Sequence, residues 1–264
     1  MSFTETDIRW TDKTHNPVHG CARSGSPGCA HCYAERISRR FGHTDQAWTP
    51  ANATENIQLK PAYLEDRLGE PAWVFANSMG DLLHPHVPDE FLNRLYAQYS
   101  EMPRSAFQLL TKHGADHDRD AGHPPDNVML GVSVGHPDWR GRIDWLRNQP
   151  AATRFVSFEP LVEPIPAVDL AGVDWAIIGG ESHPDPSERR EMDPAWARRL
   201  VESCHSQGVA VFFKQHSGPR PEIDIELDMG DGPRRIEEFP TLPYDVQPAP
   251  KAFLAVADGG GDER

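Results

Sequence analysis

Read for its alternation of apolar and polar positions, the chain resolves into short apolar runs separated by longer amphipathic stretches. Residues 72–77 (AWVFAN), 107–112 (FQLLTK), 127–134 (NVMLGVSV), 153–160 (TRFVSFEP), 174–181 (DWAIIGGE) and 209–215 (VAVFFKQ) predict strands. Most of these runs lack strict alternation, the pattern of strands covered on both faces. DEFLNRLYAQYSE (89–101) sets apolar residues at helical spacing behind an acidic start and predicts a helix. PAWARRLVESCHSQ (194–207) predicts another, with Pro194 at its first position and Gly208 closing it. Strand alternating with helix predicts repeated βα units on a parallel sheet, and 264 residues suffice for one β/α barrel.

Each run also ends in polar or small residues: Asn77–Ser78, Thr111–Lys112, Ser133, Ser157–Glu159, Gly179–Glu181 and Lys214–Gln215. In a β/α barrel these ends converge on one mouth, where active sites lie. Polar residues also mark the starts of ordinary loops. Glu and Lys recur, however, where a short turn needs only Gly or Asn. After residue 217 the pattern fails. Residues 218–264 are acidic and rich in Pro and Gly, with too little apolar surface for a core of their own. They predict an extension that wraps over a domain spanning 1–217 and ends in a disordered tail. Residues 114–126 (GADHDRDAGHPPD) predict a solvated polar loop, although their His and Asp are metal-ligand types.

Charge changes the picture. Forty acidic residues face twenty-six basic ones, a formal −14, and only five of the bases are Lys. A strongly acidic, Lys-poor surface stays hydrated where salt screens charge, so the chain reads as intracellular and halophilic. A surface built for a basic partner is the competing reading. The charge argues against a broad phosphate-binding face. It leaves room for a local basic groove, because the other bases are Arg. No apolar run is long enough to span a bilayer, and MSFTETDIRW lacks the features of a signal peptide. These observations predict a cytoplasmic protein with no membrane association.

Three of the four cysteines, Cys21, Cys29 and Cys32, lie within twelve residues in the spacing C-x7-C-x2-C. A C-x2-C knuckle lets two thiolates reach one metal or two corners of one cluster. A structural zinc site needs a fourth ligand, which His19 or His31 could supply as Cys3His. Three thiolates on a [4Fe–4S] cluster would leave one iron open for a small molecule. A thioredoxin-like pair is weaker, since the third Cys then has no role. Cysteine content alone leaves cluster and zinc both open. Cys204, inside the late helix, reads as a buried small hydrophobe.

RWTDKTHNPVHGCARSGSPGCAHCYAE (9–35) resembles the opening of an uncharacterised family common in phages and prokaryotes, the phage-type three-cysteine-motif proteins, related to radical S-adenosylmethionine (SAM) enzymes. The likeness continues in order through FANSMGDLLH (75–84), FQLLTK, LGVSV (130–134), FVSFEPL (155–161), DWAIIGGES (174–182) and FFKQ (212–215), covering roughly residues 8–217. It implies a parallel β/α (TIM-like) barrel, complete or partial, as in radical SAM proteins. Three departures stand out. Radical SAM enzymes usually space the triad C-x3-C-x2-C, FFKQ is usually followed by Trp-Gly rather than His216-Ser217, and Leu-Thr-Lys usually by Arg rather than His113.

What the resemblance implies about chemistry is specific. Cys21, Cys29 and Cys32 would bind three irons of a [4Fe–4S] cluster, whose open iron would chelate SAM. An external electron donor would drive reductive cleavage to a 5′-deoxyadenosyl radical, acting on an unknown substrate, a nucleic acid base or a protein side chain. Tyr33 would pack on the adenine or shield the cluster, unless it is an ordinary core aromatic starting a helix. Glu159 and Glu181 would hold the ammonium or ribose of SAM, and Gly179 and Gly180 would let it approach the backbone. Asn77, Ser78, Asp81 and Ser133 are further cofactor-binding candidates, with Ser157 beside them. Lys112, Lys214 and Gln215 are the catalytic candidates, each Lys being equally suited to a structural ion pair. The second reading is a zinc-stabilised, non-catalytic binding module, with nucleic acid as its candidate partner.

Overall fold

A computed structural model describes residues 2–243, 246, 247, 249–251 and 253 of the chain. Eight strands form one sheet: β1 (Phe3–Glu5), β2 (Lys13–His15), β3 (Trp73–Ala76), β4 (Ala106–Thr111), β5 (Val128–Ser133), β6 (Thr153–Phe158), β7 (Trp175–Gly179) and β8 (Ala210–Gln215). β1 is antiparallel to β2. From β2 to β8 every neighbouring pair is parallel, and the spatial order follows the chain. The six apolar runs thus become β3 to β8, β4 beginning one residue before its run and the other strands one to three residues shorter than theirs. The polar β1 and β2 carry no such signal.

Four helices of seven residues or more accompany the sheet: α1 (Tyr33–Arg40), α2 (Asp89–Ser100), α3 (Gly141–Arg147) and α4 (Pro194–Ser206). Asp193 caps α4 by accepting from the amide of Ala195 at 2.8 Å, and Gly208 takes the left-handed φ of +73° just beyond its end. Leu95 and Tyr99 of α2, Leu146 of α3 and Val201 and Cys204 of α4 are fully buried in the main core. Burial pushes the Cys204 thiol up to about 12, as suits a small hydrophobe.

A second, aromatic core shows how the sheet bends. Trp10, Trp73, Phe155, Trp175 and Phe212 share one cluster. The Trp73 and Trp175 ring centroids are 5.9 Å apart, although β3 and β7 are four strand steps apart. Flat, those steps would separate them by about 19 Å. The sheet is therefore curled into a trough with this face inside. No described pairing joins β8 to β1 or β2, so the expected barrel is seen as an open sheet. The edge of β8 is instead covered by the chain near residue 237. Phe213 N donates to Ile236 O at 2.8 Å, and Glu238 N donates to Val211 O at 2.9 Å.

The same segment plugs the amino-terminal end of the trough. The Phe239 ring lies 5.4 Å from Trp73, 5.8 Å from Trp175 and 5.7 Å from Phe212. The Trp73 indole donates to Gln247 O at 2.6 Å, and the Trp175 indole to Glu238 O at 2.9 Å. Ile236, Glu238, Phe239 and Gln247 thus lie against the edge and end of the trough. The disordered tail falls on residues 254–264, outside the described residues. Loop 114–126 is only partly solvated. It begins with a helical turn (His113–Asp116), and Asp116 accepts two 2.7 Å hydrogen bonds from the buried Arg142. With one end of the trough filled by aromatics, a ligand can enter only at the carboxyl ends of the strands.

Candidate functional site

At those carboxyl ends lies a cavity of about 290 Å3 whose wall includes all three clustered cysteines. The loop after β2 delivers the first. Gly20 there has a φ of +84°, and a Cβ on it would come within 1.9 Å of Asn56 O, so only glycine fits before Cys21. Cys32 forms the N-cap of α1. Burial raises its pKa, as does Cys29. The amides of Glu35 and Ala34 and the charge of Lys112 pull it back. A helix amino terminus and a nearby cation are the features that make a thiolate available. Burial also drives Cys21 far up, followed by repulsion from Asp81, Cys29 and Cys32. Three thiols that oppose one another's ionisation become a favourable anionic set once a cationic group sits among them.

The polar strand ends face these thiols. Tyr33, Asn77, Ser78, Asp81, Lys112, Ser133, Ser157, Glu159, Gly180, Glu181 and Lys214 all belong to the cavity wall. Two candidates stand outside it. Gly179 is adjacent to the Glu159–Lys214 pair: a Cβ on it would lie 3.4 Å from Lys214 Cβ and 3.5 Å from Glu159 Cδ. Gln215 is fully buried, donating to Gly180 O at 3.2 Å and accepting from Glu222 N at 2.8 Å, so it fastens loops rather than facing a substrate.

Several side chains have different surroundings from those expected. Asp81 is fully engaged: it accepts from Leu83 N, Thr111 Oγ1, Lys112 N and His113 N at 2.7–3.0 Å. Burial alone would raise its pKa. The charge of His113 and these donors outweigh it and hold the carboxylate below its ordinary range. Asp81 therefore fixes the turn that carries Lys112. Glu159 accepts from Lys214 Nζ at 2.6 Å. Glu181 is held by the backbone and guanidinium of Arg190 and by His31 Nδ1 at 3.2 Å. Both carboxylates meet the cavity already paired. Tyr33 is not a core residue: it is 43% exposed at the start of α1, and its hydroxyl donates to Ser78 O at 2.9 Å.

Among the described residues, four buried polar atoms in the cavity wall have no hydrogen-bond partner within the protein: Trp10 Nε1, Asn77 Nδ2, Ser133 Oγ and His113 Nδ1. Buried polar groups are rarely left so. Asn77 is also held at a φ of +81° by hydrogen bonds to His15 O and from Val18 N. Backbone in that region is costly for a residue with a Cβ and recurs at functional sites. His113, one of the departures noted above, was not foreseen as a neighbour of the cysteines. Its Nε2 lies 2.5 Å from Ala22 O and 3.5 Å from Cys21 Sγ.

The histidines expected as zinc ligands do not turn to the thiols. His31 faces Glu181 and Glu188, and His19 lies outside the cavity wall against His43. Among the described residues, no three His, Cys, Asp or Glu side chains are gathered as a single metal ion requires. No helix among them is long and apolar enough to cross a membrane.

Taken together, fold and site define an α/β protein with a thiol-lined, polar cavity at the carboxyl ends of a curled, mostly parallel sheet. A family model described as "Protein of unknown function (DUF5131)" matches residues 5–230, and the chain belongs to that family. No curated protein and no solved structure matches it.

Proposed function

We propose that the chain is a radical-SAM-like iron–sulfur protein of the phage-type three-cysteine kind, its curled sheet an open form of the β/α barrel. One observation carries the reading: Cys21, Cys29 and Cys32 share a single cavity wall with the polar ends of β3 to β8. Bound there, a [4Fe–4S] cluster with one iron free would supply one-electron reductive cleavage of SAM, an external donor providing the electron. The donor set suits this group: three thiols, a helix amino terminus at Cys32, and Lys112 to offset the negative charge.

The chain's own residues have distinct roles in this reading. Asn77 Nδ2 and Ser133 Oγ are donors waiting for acceptors on a polar ligand. Lys112, anchored by Asp81, holds positive charge beside the thiols. The Glu159–Lys214 and Glu181–Arg190 pairs fix the shape of the mouth. Trp10, Phe75 and Leu110 make the apolar part of the wall that excludes water.

The test is an anaerobic preparation assayed for iron, sulfide and zinc, beside the Cys21/Cys29/Cys32→Ala triple variant. About four irons and four sulfides per chain, lost in the variant, is the expected result. Reductive cleavage of SAM should follow. One zinc with no iron would end the radical reading and leave the cysteines as a structural staple.

A further inference from the structure

The large apolar side chains exposed among the described residues are Tyr33, Ile37 and Phe41, the last 65% exposed. They recur every four residues and so form one stripe along α1 and its C-cap. Beside it Arg36, Arg39 and Arg40 are exposed. Several arginines elsewhere are matched with acids, as in Arg67–Glu101, Arg119–Asp89, Arg142–Asp116 and Arg190–Glu181. Among the described residues these three form no such pair; Arg40 instead lies over the Phe41 ring, 5.6 Å from its centroid. In a chain of net charge −14, this is a place where arginines outnumber acids, with Arg23, Arg36, Arg39 and Arg40 beside Glu35 and Glu188.

The arginines line a groove of about 550 Å3 together with Arg23, His31 and His183. One carboxylate at its edge, Glu188, faces His31 at 3.8 Å, and Glu35 is taken up by Arg23. The groove shares Arg23, His31 and Cys32 with the thiol-lined cavity, so the two adjoin. Flat rings continue past its far end: Phe41 contacts His43 at 6.5 Å, and His43 contacts His19 at 5.3 Å.

We infer that this face binds single-stranded nucleic acid, with phosphates on Arg36, Arg39 and Arg40 and bases stacked on Phe41 and its neighbouring rings. A positively charged groove with interleaved aromatics is how single strands are held without base-specific hydrogen bonds. The acidic remainder of the surface repels a duplex, which would need a wider basic face. An acidic protein would satisfy the arginines but has no row of flat rings to lay along Phe41, His43 and His19. Stacking also persists where salt weakens phosphate contacts. The groove leads to the cavity mouth, so a bound strand presents one of its units there. That last step, naming the substrate class, rests on the cysteine-site reading; the binding does not.

The test is fluorescence anisotropy with the full chain and labelled single-stranded DNA and RNA of about 20 nucleotides over a range of KCl concentrations. Saturable binding by wild type is expected, with at least tenfold weakening in R36A/R39A/R40A. The slope of log affinity against log salt should shrink by about 2, since each single-strand phosphate contact contributes about 0.7. Phe41→Ala should weaken binding about tenfold, and the loss should persist at high salt. Melting curves check that these surface variants stay folded. The Cys21/Cys29→Ala variant, which changes no residue of the groove wall, should bind the strand as wild type does, so failure of the cluster reading and failure of this one are told apart. No saturable binding, unchanged binding in the arginine variant, or equal displacement by poly-glutamate would each overturn the inference.

Discussion

Lys214 Nζ lies 2.6 Å from Glu159 Oε1 although β7 separates the strands that carry them. Gly179 lies beneath the pair, and its missing side chain leaves room for them to meet. Burial alone would lower the Lys214 pKa, but the charges of Glu159 and Glu222 more than offset it and leave it raised. Lys214 is therefore charged at neutral pH, and the stability its raised pKa contributes is present there and lost as pH rises through its folded-state value.

Breaking one side of a mostly buried ion pair strands the other charge, at about 3–5 kcal/mol. Lys214→Met should therefore destabilise the protein by that order, and the Glu159→Gln/Lys214→Met double variant should regain most of it. Urea unfolding of the four-member cycle measures this. Additive losses would mean the two side chains are not coupled. Gly179→Val should resemble Lys214→Met, because its branches occupy the space the pair uses.

His15 predicts an acid response. Burial brings its pKa down to about 4, against about 6.5 in an unfolded chain. Between those values the unfolded state binds more protons, so stability falls as pH drops from about 6.5 to 4, by up to ~3 kcal/mol. His15→Gln should melt lower than wild type at pH ~8 yet lose less on acidification. Parallel melting curves across that range would assign the response to other groups.

The floor of the trough can be tested at Phe239. It is half-buried among Trp73, Trp175 and Phe212, so Phe239→Ala should cost about 2 kcal/mol, below the 3–5 typical of fully buried Phe. In a chain of this size that lowers the melting temperature by roughly 4–8 °C. Near-ultraviolet circular dichroism should lose intensity with it, since the indoles lose a fixed neighbour. An unchanged spectrum would mean that residues beyond 235 rest on the trough without packing into it.

The surplus of acids over bases predicts a salt requirement. The urea midpoint should rise steadily from ~0.05 M to ~2 M KCl as self-repulsion is screened. A midpoint independent of salt would remove the halophile reading.

How much of this was legible in the residues varies with the range of the interaction. Strands β3 to β8, helices α2 and α4 and the polar mouth could be read because apolar runs and their endings are local signals. Strands β1 and β2 are three residues each and exist through pairing, so FTE and KTH gave no sign. Asp81, Glu159 and Glu181 read as free carboxylates because their partners come from other strands and loops. His113 looked like a mere substitution until the fold set it against Cys21. The aromatic floor was hidden for the same reason: Trp10, Trp73, Trp175 and Phe239 are scattered over 230 residues and meet only when the sheet curls.

The segment that seals this floor follows every strand in the chain. During synthesis the seven parallel strands emerge in the order in which they pair, so each can dock on the edge left by the last. Until residues 236–253 leave the ribosome, the β8 edge and the indoles of Trp73 and Trp175 lack their cover. The nascent protein therefore passes through one late stage in which an unpaired strand edge and exposed aromatics coexist, the combination that draws chaperones or aggregation. The arrival of Ile236, Glu238 and Gln247 ends that exposure.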